Sequence, residues 1–520
     1  WTLRDGAQRL EQHKYMECRF VTLAFSGEMS LAGFTLSAWK VQYPWYRGDS
    51  HFSSSNATLD AVFELSRYTL EAGSLDTYTD SNTRERRPYE ADGIIASTAR
   101  LLVQRDFLWG RHSHAWVIEH PTCPVEWQQA TPFLGYQDFM ATGQPDLALA
   151  FTQQMFNRTM ISFRDATTGL VKTVDDGSMH YDCSGGHPGM RIIDWMPDTP
   201  EFSKGEGDHT VALGEFTASN FTSVDNFFAQ KGLDVLASIL ATVPGRAADA
   251  ARIASVASEL QQAIKAKIWN ETANSFCDGI CEEVGGNSRL MTSMFSLCFG
   301  QVPEEHAAST WAAVSRWGLE KIGDYGAFFY LMALSGGGLY SGQGYETPDD
   351  GTAVLTALTK CDRYSWCAGL RDDNLTMTRE SWHEGTYSHQ WGTSPVIGVT
   401  IGVMGIKQTA PAWRSFTVKP KLGTLTNAAI VVPTISGYIN VTATPTTLAV
   451  NVPCNTAARL CLPRSQMDTV RRGLALSVPV STVLTLDDVV VDSIFEGGHL
   501  CTRAFVGCGA NGDPRVITST

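Results

Sequence analysis

Between two stretches of helical periodicity the chain reads Asp80-Ser-Asn-Thr-Arg-Glu85-Arg-Arg-Pro-Tyr-Glu-Ala-Asp92. Seven of these thirteen residues are charged, against 18% for the whole sequence. Pro88 bars a regular helix interior, since its ring removes a donor and clashes with the preceding turn. Upstream, Ser53-Ser-Ser-Asn-Ala-Thr58 can cap a helix whose apolar face includes Leu59, Val62 and Phe63. Downstream, Ile94, Ile95, Thr98, Leu101 and Leu102 repeat at helical spacing. The charged stretch is therefore a long connection between helices, and such connections tend to carry function. A solvated charged loop is the plain reading. The other is chemical: four carboxylates, three arginines, an amide and a tyrosine can hydrogen-bond several hydroxyls and present an acid to one of them.

Helical spacing continues in Phe228, Val235, Leu236, Ile239 and Leu240, then in Ile253, Val256, Leu260, Ile264 and Ile268, and ends near Lys407. The run from Pro395 to Ile406 is short, apolar and interrupted by glycine, and reads as a buried helix. On either side the texture differs. Residues Cys18–Phe25 and Phe34–Val41 alternate like strands, and from Phe416 alternation returns in Ala429-Ile-Val-Val and Gly437-Tyr-Ile-Asn-Val-Thr. The expected plan is mainly α. Residues 1–52 end a β domain, 53–412 form a helical body, and 413–520 form a C-terminal β-sandwich.

The whole chain has 520 residues and a formal charge of −14 without a dense Lys/Arg run, so no nucleic-acid partner is expected. No stretch approaches the roughly 18 apolar residues that a membrane span requires. The sequence opens at Trp1 with no charged-then-apolar leader, which suggests an N-terminus already removed or a piece of a longer chain. Six Asn-X-Ser/Thr sites, at Asn56, Asn157, Asn220, Asn270, Asn374 and Asn440, point to a secreted or lumenal protein. So do twelve cysteines with four close pairs, Cys277/Cys281, Cys361/Cys367, Cys454/Cys461 and Cys501/Cys508. His112, His114 and His120 lie near Cys123 but lack a repeated ligand spacing, so no metal is expected.

A second segment, Thr376-Met-Thr-Arg-Glu380-Ser-Trp-His-Glu384-Gly-Thr-Tyr-Ser-His389-Gln-Trp-Gly-Thr-Ser-Pro395, sets carboxylates and imidazoles beside tryptophans. It reads either as an aromatic core edge or as a sugar site. Carbohydrate suits the second, since its C–H faces stack on rings and its hydroxyls need paired acceptors. Two carboxylate-bearing loops about 300 residues apart in one helical body meet the need for an acid and a base flanking a glycosidic bond.

Both segments resemble the α-L-rhamnosidases of glycoside hydrolase family 78. Asp80-x4-Glu85-x6-Asp92, with Arg84 and Arg86 around the glutamate, is similar to that family's acid loop. Thr376-Met-Thr-Arg-Glu380-Ser-Trp382 is similar to its Thr-x-x-x-Glu-x-Trp, and Ser388-His389-Gln-Trp391 to its Ser-His-x-Trp. The resemblance implies Glu85 as general acid and Glu380 as general base, with Glu384 as the alternative. It implies Asp80, Arg84, Tyr89, Asp92, Trp382 and His389 as sugar contacts. Tyr89 stands where the family often has tryptophan. Looser matches at Val125-Glu-Trp127, Ile193-Asp-Trp195 and Asp324-Tyr-Gly-Ala327 add Trp127, Trp195 and Tyr325 as wall residues, which fit a core equally well. The implied fold is an (α/α)6 barrel, a six-hairpin toroid, flanked by β-sandwich pieces. The implied reaction is inverting hydrolysis of terminal α-L-rhamnose with no cofactor. Another carbohydrate-active enzyme on this scaffold (a different glycosidase, a phosphorylase or a lyase) and a non-catalytic sugar-binding protein are the alternatives.

Overall fold

In the computed structural model the Asn56 side chain accepts hydrogen bonds from the backbone N–H groups of Thr58 and Leu59 and starts helix α1, Ala57–Gly73. The structure describes residues 4, 6–18, 20–26, 32–172, 191–195, 210–211, 216–217, 219–286, 289–338, 340, 344–383, 385–463, 484–487, 489–496, 498–509 and 513–519. Leu59, Val62, Phe63, Ser66 and Leu70 form the buried face of α1, at the spacing the sequence shows. Helix α2, Glu90–Leu101, is buried on nearly every side, and its first turn carries Asp92 into the interior. The chain from 74 to 89 joins the two, as expected.

Further helices pack around this pair. Thr131–Thr142 lies against α2 and against Ser223–Ala241, which runs beside Ala247–Lys267. Leu290–Cys298 packs on Asp324–Leu334. The apolar run near the end of this body is buried as Ser394–Ile397, followed by a π-helical turn at Gly398–Val403. No helix among the described residues is long and apolar enough to cross a membrane.

Two sheets follow. One has seven described strands in the order His51–Ser54, Ala428–Thr434, Gly437–Ala443, Thr447–Asn451, Arg515–Ser519, Leu484–Leu486 and Val489–Val490. The other runs Ser493–Glu496, His499–Thr502, Ala457–Pro463, Ser415–Val418 and Ile406–Gln408. Burial alternates along Gly437–Ala443, the signature of a strand with one face on a core. The second sheet begins at Ile406, inside the segment expected to close the helical body. The strand just before α1, His51–Ser54, pairs antiparallel with Ala428–Ala429-Ile-Val431, so the segment that enters the helical body joins the C-terminal sheet.

Two expectations need correction. The alternating residues of 18–25 and 34–41 form no strand among those described, and Phe20, Leu36 and Trp39 are largely exposed. A strand requires a neighbour to hydrogen-bond, and neither segment has one there. Among the cysteines, Cys277–Cys281 and Cys361–Cys367 are bonded at the spacings that suggested it. The other two local pairs are not formed. Cys461 bonds Cys501 instead, because the two face each other in neighbouring antiparallel strands. Cys454 and Cys508 are free thiols.

Candidate active site

The two carboxylate loops meet. The Asn82 N–H donates to Ser388 Oγ at 3.0 Å, and the Gln390 N–H to the Asp80 carbonyl at 2.9 Å. The Gln390 side chain donates to the carbonyls of Gly73 and Thr79, pinning the end of α1 to the second loop. That loop turns back on itself: Arg379 pairs with Tyr387, and the Glu380 N–H donates to the Thr386 carbonyl. Gly385 makes the turn possible. Its φ is +83°, and a Cβ there would lie 2.6 Å from Glu380 Cβ and 2.7 Å from Oε2.

Within the first loop Asp80 is buried and spent on the loop itself. Its Oδ1 accepts the Arg87 N–H and its Oδ2 the Ser81 hydroxyl. Glu85, by contrast, is half-buried. Tyr89 Oη donates to its Oε2 at 2.6 Å, and Arg84 Nη2 lies 2.5 Å from its Oε1. Burial and then the Glu85 contact push the Tyr89 hydroxyl upward, so it stays protonated and donating.

Glu380 faces Glu85 across Arg84. The same Nη2 donates to Glu380 Oε1 and Oε2 at 3.1 and 3.0 Å. Trp195 Nε1 donates to Oε1 at 3.1 Å, and Thr386 donates both its N–H and its hydroxyl to Oε2 at 3.0 and 3.1 Å. Burial would raise this carboxyl. The Thr386 N–H, the His389 charge, Arg84 and Trp195 outweigh it and hold the group below the usual carboxylate range. Glu380 is thus kept as an anion, while Glu85 stands opposite with more access to solvent. The two are linked through one nitrogen, so their near oxygens lie within two hydrogen-bond lengths of each other.

Behind them, His389 Nε2 contacts Asp92 Oδ1 at 3.0 Å. Burial pushes Asp92 up to about 6 despite that contact. Trp127 is almost wholly buried beside Tyr89, Tyr325 and Trp391, with ring centroids 5.7, 6.2 and 6.4 Å away. Its indole Nε1 has no hydrogen-bond partner among the described residues. Asp194 positions Trp195 by accepting the N–H groups of Trp195, Gly323 and Gly326, which ties that tryptophan to the start of the helix Asp324–Leu334. The three loosely matched segments therefore lie together, Tyr325 against Trp127 and Asp194 on the Gly323–Gly326 turn.

Trp382 does not join them. Its Nε1 donates to the Ile322 carbonyl at 2.7 Å and its ring packs edge-on against Trp366. Glu384, the alternative base, lies outside the described residues. Two contributors were not singled out from the sequence, Thr386 and Gly385, whereas Tyr325 was read as a wall or core residue and packs against Trp127 and Trp391. Only the position of Thr386, inside a segment already rich in carboxylates, marked it.

Comparison with known proteins bears on one segment by sequence and on most of the chain by fold. Residues 405–476 match the family model of the bacterial α-L-rhamnosidase C-terminal domain. Over 91% of its length the chain superposes on an α-L-rhamnosidase from Dictyoglumus thermophilum, with a TM-score of 0.67 at 13% identity. The fold is that of the α-L-rhamnosidases. The rhamnosidase of Streptomyces avermitilis in complex with L-rhamnose gives a TM-score of 0.63 at 14% identity over 90% of the chain. That of Aspergillus terreus gives 0.57 at 17% over 80%. The chain spans 50%, 42% and 48% of these three rhamnosidases, respectively. No curated protein matches it in sequence. The resemblance read from the two loops thus agrees with the backbone and with the C-terminal domain.

Proposed function

We propose that this protein is a glycoside hydrolase that removes terminal α-L-rhamnose from glycosides or polysaccharides, with Glu85 as general acid and Glu380 as general base. The observation that carries the reading is the facing pair: Glu380, ionised by donors from three separate segments, across Arg84 from the more accessible Glu85. In the proposed reaction Glu85 gives its proton to the glycosidic oxygen as the C–O bond breaks. Glu380 takes a proton from the water that attacks the anomeric carbon from the opposite face. The products are an alcohol and a sugar of inverted configuration.

Inversion calls for carboxyls about 6.5–9.5 Å apart, wide enough to admit the water. With Arg84 bridging them at 2.5 and 3.0 Å, the near oxygens of Glu85 and Glu380 lie closer than that span and nearer the roughly 5 Å of a retaining enzyme. The proposed inversion therefore requires Arg84 to leave the pair and the carboxyls to part as substrate enters. The rings of Tyr89, Trp127 and Trp195 supply apolar wall for the sugar's C–H face. We take the helical body, residues 53–412, to be the six-hairpin toroid, with the C-terminal sandwich of 413–520 packed on it. The exposed sequons at Asn157, Asn220, Asn374 and Asn440 and the three disulfides described above support a secreted protein.

The test is a panel of p-nitrophenyl glycosides, with the product anomer followed by NMR. Release from the α-L-rhamnoside with an inverted anomer is the expected result. Activity confined to another glycoside would keep the acid/base pair and replace the sugar. Acceleration by added phosphate would make the enzyme a phosphorylase.

A further inference from the structure

The resemblance casts His389 and Asp92 as sugar contacts, but in the structure both side chains are buried and bonded to each other. The His389 ring is buried and lies on Trp391 with centroids 4.3 Å apart. Both of its nitrogens are engaged: Nε2 with Asp92 Oδ1 at 3.0 Å, and Nδ1 with Thr386 Oγ1, also at 3.0 Å. Thr386 Oγ1 in turn reaches Glu380 Oε2 at 3.1 Å. We propose that Asp92, His389 and Thr386 form a hydrogen-bonded chain that orients and charges Glu380, with His389 and Thr386 as positioning residues for the base rather than contacts for the sugar. The inference rests on the reading of Glu380 as the base.

Proton counting gives the chain a direction. An imidazolium has two N–H groups, so it can donate to Asp92 through Nε2 and to Thr386 Oγ1 through Nδ1. The threonine hydroxyl, its lone pair taken, then turns its own hydrogen to Glu380. A neutral imidazole with its proton on Nε2 would instead accept the threonine hydrogen at Nδ1, and Glu380 would lose that donor. The surroundings favour the charged form. Asp92 from α2, Asp80 from the first loop and Glu380 from the second all face the ring, and their charges lift His389 above its ordinary value against the effect of burial. Tyr325, from the helix behind, meets Trp391 rather than the imidazole, and Arg84 stands beyond Glu380.

Thr386→Val removes the hydroxyl while keeping the branched shape and the backbone N–H. Steady-state kinetics on p-nitrophenyl α-L-rhamnopyranoside should show kcat lower by about ten- to a hundredfold, the usual consequence of losing one hydrogen bond to a charged group. KM should stay within about twofold, since the sugar is not touched. The acid limb of the pH–rate profile should move up, because Glu380 loses a donor to its ionised form, and Thr386→Ser should restore it. An unmoved limb with normal kcat, or a rise in KM alone, would overturn the proposal.

A second readout needs no turnover. With 15N-labelled histidine and His389→Gln for assignment, wild-type His389 should titrate above its ordinary value with a sheltered Nδ1 proton, and that proton should be lost to exchange in Thr386→Val. A neutral His389 at pH 6, or an Nδ1 proton indifferent to Thr386, would overturn the chain of bonds. A wild-type protein inactive on rhamnosides would count against the reaction only, and the NMR result would still decide the chain.

Discussion

Trp195 shows how one side chain sets the chemistry of another. Its indole N–H donates to Glu380 Oε1, and its own backbone is fixed by Asp194. Replacing it with phenylalanine keeps an aromatic wall and removes the donor. The pKa of Glu380 lies below the ordinary value, so losing a donor raises it, and the base becomes protonated at higher pH. The acid limb of kcat/KM in Trp195→Phe should therefore move to higher pH, as a pH–rate series will show. At this scale the sequence was legible where residue types cluster. Glu85, Glu380 and their arginine stood out because charge is concentrated in two loops. Asp80, by contrast, looks like a sugar ligand in a motif but spends both oxygens on its own loop. Trp382 turns its N–H to Ile322. Spacing along a loop does not encode which way a side chain points, and those two placements needed three dimensions.

Helices were the most legible elements, because a buried face repeats every three or four residues and a cap announces the start. Asn56 is such a cap, and it also heads an Asn-Ala-Thr glycosylation site. The two roles separate by substitution. Asn56→Ala should cost about 1 kcal/mol in denaturant unfolding, the usual value of a lost N-cap, while Asn56→Ser should retain most of the stability and still abolish the site. Equal loss in both variants would show that the cap is not what stabilises α1. Strands were less legible. Alternation in Gly437–Ala443 became a strand because neighbours exist on both sides, whereas the same texture in 18–25 and 34–41 has no partner among the described residues. The cysteines carry the same lesson: the Cys461–Cys501 bond follows strand register, which sequence separation does not report.

At the scale of the whole molecule, the strand His51–Ser54 ties the start of the helical body to the C-terminal sheet, and the Tyr438 hydroxyl donates to Asp49 across the same junction. Several acids are buried in the helical body. Burial pushes Asp194 up to about 7 and Asp138 to about 6. Each binds a proton in the folded state that the unfolded chain releases, so its contribution to stability is full below its ordinary value and is lost as pH rises through the raised one. Buried His114, pushed down to about 3, acts in the opposite sense but is a single group. Calorimetry should therefore show a melting temperature that falls between pH 5 and pH 7.5, with a smaller fall in Asp194→Asn. The central claim is the division of labour between Glu85 and Glu380, and leaving-group dependence tests it most directly. An aryl rhamnoside whose phenol leaves without protonation bypasses the acid but still needs the base. Glu85→Gln should retain turnover of a 2,4-dinitrophenyl rhamnoside while losing that of an alkyl rhamnoside, and Glu380→Gln should lose both. The reverse pattern, or near-normal alkyl rhamnoside hydrolysis by Glu85→Gln, would contradict the account.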